Sequence, residues 1–331
     1  MSQLEFSREV EERTLPIYSK LKTVIPAIEW PVFAPYIDRI NQLKKERNAV
    51  ILAHNYQTPE IYHGVADYTG DSLGLSQMAA KTDADIIVFC GVHFMAETAK
   101  ILSMDKMVLI PDSSAGCSLA SSITAEDVLT LKAQHPNAPV VTYVNVSAAV
   151  KAVSDICCTS SNALKVVESL SEQKIIFIPD NYLGQYVASQ TTKELILWHG
   201  KCEVHEKFTG QELRDYRSGF DSIKIIAHPE CPPDVLSEAD YVGSTKGMID
   251  YVAKEQPKDV VMITECSMSD NVAVEFPMVN FVKPCNLCPH MKKITLPKIL
   301  RSLELLEDQV FVDTKTANDA LQSVTRMLEI Y

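Results

Sequence analysis

The sequence predicts an α/β protein of three homologous three-layer α/β/α domains, with mainly parallel sheets in a pseudo-threefold arrangement around a central site. Three apolar runs of strand length recur along the 331 residues: NAVILAHNYQ at 48–57, APVVTYVNVS at 138–147 and DSIKIIAHPE at 221–230. Each run leads into the same order of aspartate, hydroxyl residue and second strand. One cysteine stands at the same place in each repeat.

Each of these first strands ends in polar residues, as a buried parallel strand does where it leaves its sheet. The tips read His-Asn-Tyr at 54–56, Tyr-Val-Asn at 143–145 and His-Pro-Glu at 228–230. Ligands of such sheets bind at the carboxyl ends of the strands. The tips therefore supply candidate site residues: His54, Tyr56, Tyr143, Val144, Asn145, His228, Pro229 and Glu230.

A hydroxyl residue follows each tip by 18, 17 and 17 residues, at Ser72, Ser160 and Thr245. An aspartate stands five residues before each hydroxyl, at Asp67, Asp155 and Asp240. Helix-like patterns follow, so we expect the three hydroxyls to cap helices. Free N–H groups at such helix starts bind carboxylates and phosphates.

The second strands, DIIVFC, KIIFIP and DVVMIT, end at Cys90, Pro179 and Thr264, 36 residues after each tip begins. Cys117, Cys202 and Cys288 follow at intervals of 85 and 86 residues. This agreement in order predicts a triplicated unit. We expect a helical segment at 1–30, repeats at 31–117, 118–202 and 203–288, and a helical tail at 289–331.

Composition limits the function classes. A net charge of −12 argues against a nucleic-acid partner, which requires a basic face. The first residues carry no signal-peptide core and no uncharged run reaches the length of a membrane span, so we expect a cytoplasmic protein. Nine cysteines in a reducing compartment are then metal-binding, catalytic or buried rather than disulfide-bonded.

Three converging thiolates suit either zinc or an iron–sulfur cluster, and three ligands leave one metal position open to substrate. The stretch KPCNLCPHMKK at 283–293 offers two cysteines for the third position. The repeat spacing selects Cys288, because Cys285 would give an interval of 83 residues. Cys285 remains a spare thiol, a redox partner of Cys288 or part of a zinc half-site. The remaining cysteines are expected to be small buried hydrophobes: Cys90, Cys157, Cys158, Cys231 and Cys266.

A set of motifs between residues 48 and 297 resembles the quinolinate synthases of the NadA type: ILAHNYQ, GDSL, GVHFMAETAKIL, AGCSLA, TYVN, CTSSNA, CEVHEKFT, AHPEC, GSTKGM and CPHMKKITL. The resemblance implies a [4Fe–4S] cluster on Cys117, Cys202 and Cys288. It also implies condensation of iminoaspartate with dihydroxyacetone phosphate to quinolinate, in metabolic coupling with an L-aspartate oxidase. Cys288 is the cysteine of the family's CPxM motif.

Such a condensation needs several acid–base groups. The candidates are His54, Tyr56, Tyr143, His205, His228 and Glu230. Asn145 and the three hydroxyls are expected to bind substrate, and Met95 to wall the pocket. Two other interpretations stay open: another hydro-lyase with a three-cysteine [4Fe–4S] cluster, and a non-enzymatic iron–sulfur sensor. A sensor predicts basic or partner-binding features that this acidic chain lacks.

Overall fold

Three separate four-stranded parallel sheets form the framework of the protein. A computed structural model describes residues 4–284 and 286–330. The sheets have the strand orders β2-β1-β3-β4, β6-β5-β7-β8 and β10-β9-β11-β12, so all three share one topology. Their strands are β1 Ala49–His54, β2 Tyr68–Gly70, β3 Ile86–Cys90, β4 Met107–Leu109, β5 Val140–Tyr143, β6 Ile156–Cys158, β7 Lys174–Ile178, β8 Glu194–Leu197, β9 Lys224–Ala227, β10 Tyr241–Val242, β11 Asp259–Ile263 and β12 Asn280–Val282.

Helices flank every sheet, and the predicted fold class of three α/β/α units is confirmed. The first strand of each sheet is preceded by a helix of ten or more residues. The helices are α1 Arg8–Leu21, α2 Trp30–Glu46, α3 Pro59–Tyr62, α4 Ser72–Lys81, α5 His93–Leu102, α6 Ala125–Gln134, α7 Ala148–Ala152, α8 Ala163–Ser169, α9 Asn181–Ala188, α10 Gly210–Gly219, α11 Pro233–Glu238, α12 Thr245–Glu255, α13 Ser267–Glu275, α14 Leu296–Leu305 and α15 Thr314–Leu328. The domain boundaries after residues 30, 117, 202 and 288 remain a proposal.

The recurring aspartate fixes the register between the first two strands of each sheet. The Asp67 carboxylate accepts a hydrogen bond from the backbone N–H of Ile51, and its own N–H donates to the Ile51 carbonyl at 2.9 Å. Asp155 pairs with Val140, and Asp240 with Ile225, in the same two-way manner. The hydrogen bond from the strand N–H to the aspartate Oδ2 is 2.8 Å long in all three repeats. A short strand that would otherwise pair weakly is thereby tied to its neighbour.

The segment after each repeat cysteine also has one conformation. A single 3₁₀ turn begins three residues after the cysteine, at Ala120–Ser122, His205–Lys207 and Met291–Lys293. The cysteine carbonyl accepts from the N–H four residues on, at 3.0, 3.0 and 3.1 Å for Cys117, Cys202 and Cys288. The repeat therefore extends to the backbone around the three thiols.

The terminal helices pack on the repeats. Helix α1 lies on α2, α14 contacts α2 and β3, and α15 contacts α5, α7 and β6. Ser323 of α15 donates to the carbonyl of Lys151 at 2.9 Å, and Asn162 donates to the carbonyl of Ile330 at 2.7 Å. The tail therefore joins the first repeat to the second. No helix within residues 4–284 and 286–330 is long and apolar enough to cross a membrane.

Candidate active site

One cavity of about 70 Å³ receives residues from all three sheets at the carboxyl ends of their strands. The strand tips contribute alternate residues, because side chains of an extended chain point to opposite faces. Positions 54 and 56, 143 and 145, and 228 and 230 line the cavity. Val144 and Pro229, which we expected to bind substrate, are buried outside its described lining. The other expected residues line it: His54, Tyr56, Ser72, Met95, Cys117, Tyr143, Asn145, Ser160, Cys202, His205, His228, Glu230, Thr245 and Cys288.

A chain of hydrogen bonds runs through the centre of this cavity. His205 Nδ1 lies 2.7 Å from Glu230 Oε2 and 3.2 Å from Cys202 Sγ. Nδ1 donates to the carboxylate, and Nε2 lies 2.9 Å from the Thr264 hydroxyl oxygen. The Tyr56 hydroxyl lies 2.6 Å from the same oxygen of Thr264. Side chains from the three repeats thus form one connected path.

Glu230 contacts four other residues of the cavity. Its Oε1 accepts from Asn145 Nδ2 at 3.4 Å, and the Tyr143 hydroxyl hydrogen-bonds the same carboxylate. His228 lies 3.6 Å from Glu230 Oε2 through Nδ1, and its Nε2 is 3.2 Å from Ser160 Oγ. The ring of His228 stacks on that of His205 with centroids 4.7 Å apart. This arrangement holds the carboxylate in place from several directions.

Burial sets the protonation states of these groups. It lowers the pKa of His54 and of His228 to about 3, so both imidazoles are neutral at pH 7. Burial also raises the pKa of the Glu230 carboxyl, but His228, His205 and Tyr143 outweigh it, and that pKa lies below its ordinary value. Burial raises the pKa of the Tyr56 and Tyr143 hydroxyls well above 10. The cavity therefore holds an ionised carboxylate beside protonated phenols.

The three hydroxyls line the cavity without capping helices, so our expectation of caps is wrong. Ser72 and Thr245 are the first residues of α4 and α12, and the caps are Asp71 and Ser244, which accept from the third N–H on. Ser160 stands two residues before the residue at the N-cap position of α8. A capping residue stands one position outside the helix, and Asp71 and Ser244 have the extended backbone typical of that position. None of the three hydroxyls is occupied by a helix cap, although Thr245 Oγ1 accepts from Asn55 Nδ2 at 2.8 Å and Ser160 Oγ contacts His228.

The repeat cysteines are free thiols, and each sulfur receives backbone N–H groups from the residues two and three positions on. Burial raises the pKa of Cys117 to about 12, and it also raises the pKa of Cys202 and of Cys288. A buried thiolate needs a positive partner, which a bound metal supplies. Three soft donors at one cavity fit a cluster held by three cysteines. The interpretations of Cys285 concern a residue outside those that the structure describes.

A second donor set overlaps the first. Donor atoms of Cys202, His205 and Glu230 lie within 4.8 Å of one another, close enough to hold a single metal ion. Of the five cysteines expected to be small buried hydrophobes, Cys90, Cys157, Cys158 and Cys231 are fully buried, whereas Cys266 is only partly buried, so the expectation is wrong for Cys266.

Sequence reasoning overlooked three polar residues beside the cavity. Thr264 was recognised only as a strand end, although Cys90 and Pro179 at the equivalent places lack its hydroxyl. Glu265 and Lys292 form an ion pair of 2.9 Å. Lys292 belongs to the motif CPHMKKITL, which was the available signal. For Glu265 the equivalent positions hold Gly91 and Asp180, so a carboxylate recurs in only one other repeat.

Three parallel α/β units that direct strand tips, hydroxyls and thiols into one buried cavity define an enzyme with a cysteine-lined active site. The chain belongs to the NadA family, described as quinolinate synthetase A protein, which matches residues 38–329.

Relatives of nearly the same length carry the corresponding name. Quinolinate synthase 1 of Mesorhizobium japonicum is 60% identical over 94% of this chain and 96% of its own. A quinolinate synthase of Sinorhizobium fredii is 57% identical over 99% of this chain and 91% of its own. One of Caulobacter vibrioides is 52% identical over 98% and 90% respectively.

Proposed function

We propose that this chain condenses iminoaspartate with dihydroxyacetone phosphate to quinolinate, releasing phosphate and water, in the biosynthesis of NAD. The observation that carries the proposal is the arrival of one thiol from each repeat at one buried cavity, beside the ionised Glu230. Family membership and the names of the relatives support it.

Cys117, Cys202 and Cys288 would hold a [4Fe–4S] cluster. When bound through three thiolates, such a cluster supplies an iron with an open position that acts as a Lewis acid toward an oxygen of the substrate. The backbone N–H groups directed at each sulfur stabilise the thiolate form that a metal requires.

Both substrates are anions, yet the chain carries a net charge of −12. Local positive potential comes from the N-termini of α4 and α12, where Ser72 and Thr245 are the first helical residues. Their hydroxyls and that of Ser160 add donors for carboxylate or phosphate oxygens. Asn145, which lines the same cavity, orients the bound acid through its amide.

Glu230 serves as the general base. It is ionised, and it contacts His205, whose second nitrogen leads through Thr264 to the Tyr56 hydroxyl. His205 and Thr264 thus form a path along which a proton can reach Glu230, while Tyr143 donates a hydrogen bond to the same carboxylate. The neutral imidazoles of His54 and His228 supply hydrogen bonds rather than take up protons, because burial lowers the pKa of each to about 3.

The experiment is anaerobic. Protein purified without oxygen receives dihydroxyacetone phosphate together with iminoaspartate, which an L-aspartate oxidase generates in the same mixture, and quinolinate is measured by chromatography. Iron and sulfide are counted per chain. We expect quinolinate only from cluster-loaded protein. Its formation should not require direct contact between this protein and the L-aspartate oxidase. Full activity of metal-free or zinc-loaded protein would refute the proposal. A different hydro-lyase would leave the cluster spectrum unchanged when dihydroxyacetone phosphate is added.

A further inference from the structure

An ion pair between Glu265 and Lys292 joins three loops at the edge of the cavity. The Glu265 carboxylate is fully buried and accepts from Lys292 Nζ at 2.9 Å and from the N–H of Ser267 at 2.9 Å. Its Oε1 also accepts from the N–H of Cys288 at 3.3 Å. A buried carboxylate persists only where a cation and hydrogen bonds compensate it. Here both are present.

Lys292 has a partner for each of its three N–H donors. Besides Glu265, Nζ reaches the carbonyl of Tyr56 at 2.7 Å and the hydroxyl of Ser267 at 2.7 Å. An ammonium has three donors and no acceptor, so its hydrogen-bonding capacity is filled. The pair therefore fixes the loop of Tyr56, from the first repeat, against the cysteine loop of the third.

The same loop of the first repeat is held on both sides of Tyr56. Asn271 of α13 donates to the carbonyls of Asn55 at 3.1 Å and Gln57 at 2.8 Å. Three successive carbonyls thus accept hydrogen bonds from side chains of the third repeat and its tail. The position of the Tyr56 hydroxyl, 2.6 Å from Thr264, depends on this attachment.

The repeated fold does not require this pair. The residues four positions after the other two cysteines are Ser121 and Glu206, and the equivalents of Glu265 are Gly91 and Asp180. The cysteine loops at Cys117 and Cys202 nevertheless form the same turn. Formation of that turn therefore does not depend on the pair.

We infer that Lys292 and Glu265 are positioning residues that hold Cys288 and Tyr56 in the geometry needed for metal retention and turnover. Lys292 acts on Tyr56 through its carbonyl, and Glu265 acts on Cys288 through its N–H. The inference rests on the proposed function, because Cys288 and Tyr56 have their roles there.

The test compares Lys292→Met, Glu265→Gln and the double variant with wild type, in full-length protein loaded with iron and sulfide without oxygen. We expect iron transfer to a colorimetric chelator to be about tenfold faster in Lys292→Met, and kcat to fall about tenfold with KM within about twofold. The double variant leaves no unpaired charge, so it should fold even if one single variant does not. It should still lose iron faster than wild type. Lys315→Met, which removes an exposed surface lysine, is the matched control.

A merely structural pair would give a lower unfolding temperature with iron release and kcat of the folded variants unchanged, and that result would overturn the inference. Failure of the proposed function can be told apart from failure of this inference. It would appear as absence of quinolinate with wild-type protein, whereas the iron-release comparison would still show whether the pair positions Cys288.

Discussion

His205 donates from Nδ1 to Glu230 Oε2 at 2.7 Å, and this pair stands between side chains of the other two repeats. His205 begins the turn after Cys202, whereas Glu230 ends the first strand tip of the third repeat. Their side chains are 1% and 4% exposed. Glu230 also accepts from Asn145 of the second repeat, and His205 is connected to Tyr56 of the first through Thr264. The acid–base centre is therefore a product of assembly of the three units rather than a property of one.

The first prediction concerns this centre. Glu230→Gln removes the ionised carboxylate and Tyr143→Phe removes its phenol donor, so we expect kcat to fall by about 100-fold or more for Glu230→Gln. Iron content should stay at the wild-type level, because neither residue is a thiol. Steady-state kinetics and iron analysis measure both. Glu206→Gln, an exposed change on the same turn as His205, is the control. Wild-type turnover in Glu230→Gln would show that the carboxylate only supports the structure.

The second prediction concerns the hydroxyls. Ser72→Ala, Ser160→Ala and Thr245→Ala should each weaken substrate binding by about 1.5–3 kcal/mol, the value of a hydrogen bond to a charged group. The melting temperature should hardly change for Ser72→Ala, because Asp71 caps α4. Substrate titrations and thermal melts test this.

A serine that does cap a helix is the control for the three cavity hydroxyls. Ser147 caps α7 outside the cavity, so Ser147→Ala should cost about 1 kcal/mol of stability and leave binding intact. If the three cavity hydroxyls behaved like Ser147, a role in substrate binding would be excluded.

Repeat spacing predicted the three sheets and the strand tips, because burial and strand length leave a direct pattern in sequence. It placed two of the caps one residue late, since DS at 71–72 and ST at 244–245 each offer two capping side chains, and it placed the third, Ser160, two residues early. It also overlooked the contact of Lys292 with Tyr56, which joins residues 236 positions apart. Such contacts follow from how the units pack, and nothing in the local pattern records them.

The third prediction concerns the recurring aspartate. Asp67→Ala, Asp155→Ala and Asp240→Ala each leave a strand N–H without its carboxylate, so each should lower the free energy of unfolding by about 1–3 kcal/mol. Because the three bonds are equal in length, the three losses should be similar. Urea unfolding followed by circular dichroism measures them, with the exposed Asp221→Ala as control. A loss in one repeat alone would mean that the three bonds are not equivalent.

The fourth prediction concerns pH. Burial lowers the pKa of His54 to about 3, whereas an unfolded histidine titrates near 6.5. Between these values the unfolded chain binds a proton that the folded chain does not, so stability falls as the pH drops below about 6.5. The limiting slope is about 1.4 kcal/mol per pH unit. Unfolding of cluster-free wild type and His54→Gln from pH 7 to 5 should show a shallower decline in the variant. Parallel curves would contradict the prediction.

The last prediction returns to KPCNLCPHMKK, which offers two cysteines for one ligand position. Cys288 lines the cavity, and its turn matches those of Cys117 and Cys202, so Cys288→Ala should abolish cluster assembly. Two remaining thiolates on separate repeats would hold a cluster poorly. Cys285→Ala should keep both the cluster and anaerobic activity, because spacing gives Cys285 no place among the three ligands. Iron and sulfide per chain, with activity measured beside them, separate the two variants.

The opposite pattern, loss in Cys285→Ala with retention in Cys288→Ala, would overturn the assignment of the third ligand. Equal loss in both would mean that the third repeat needs the whole C-x-x-C pair. The pair also has the spacing of a disulfide, which would withdraw Cys288 from iron on oxidation. A mild disulfide oxidant should then remove iron from wild type faster than from Cys285→Ala, and a thiol reductant should restore the capacity to reload. Equal rates in the two proteins would exclude a disulfide between Cys285 and Cys288 as the cause of the loss.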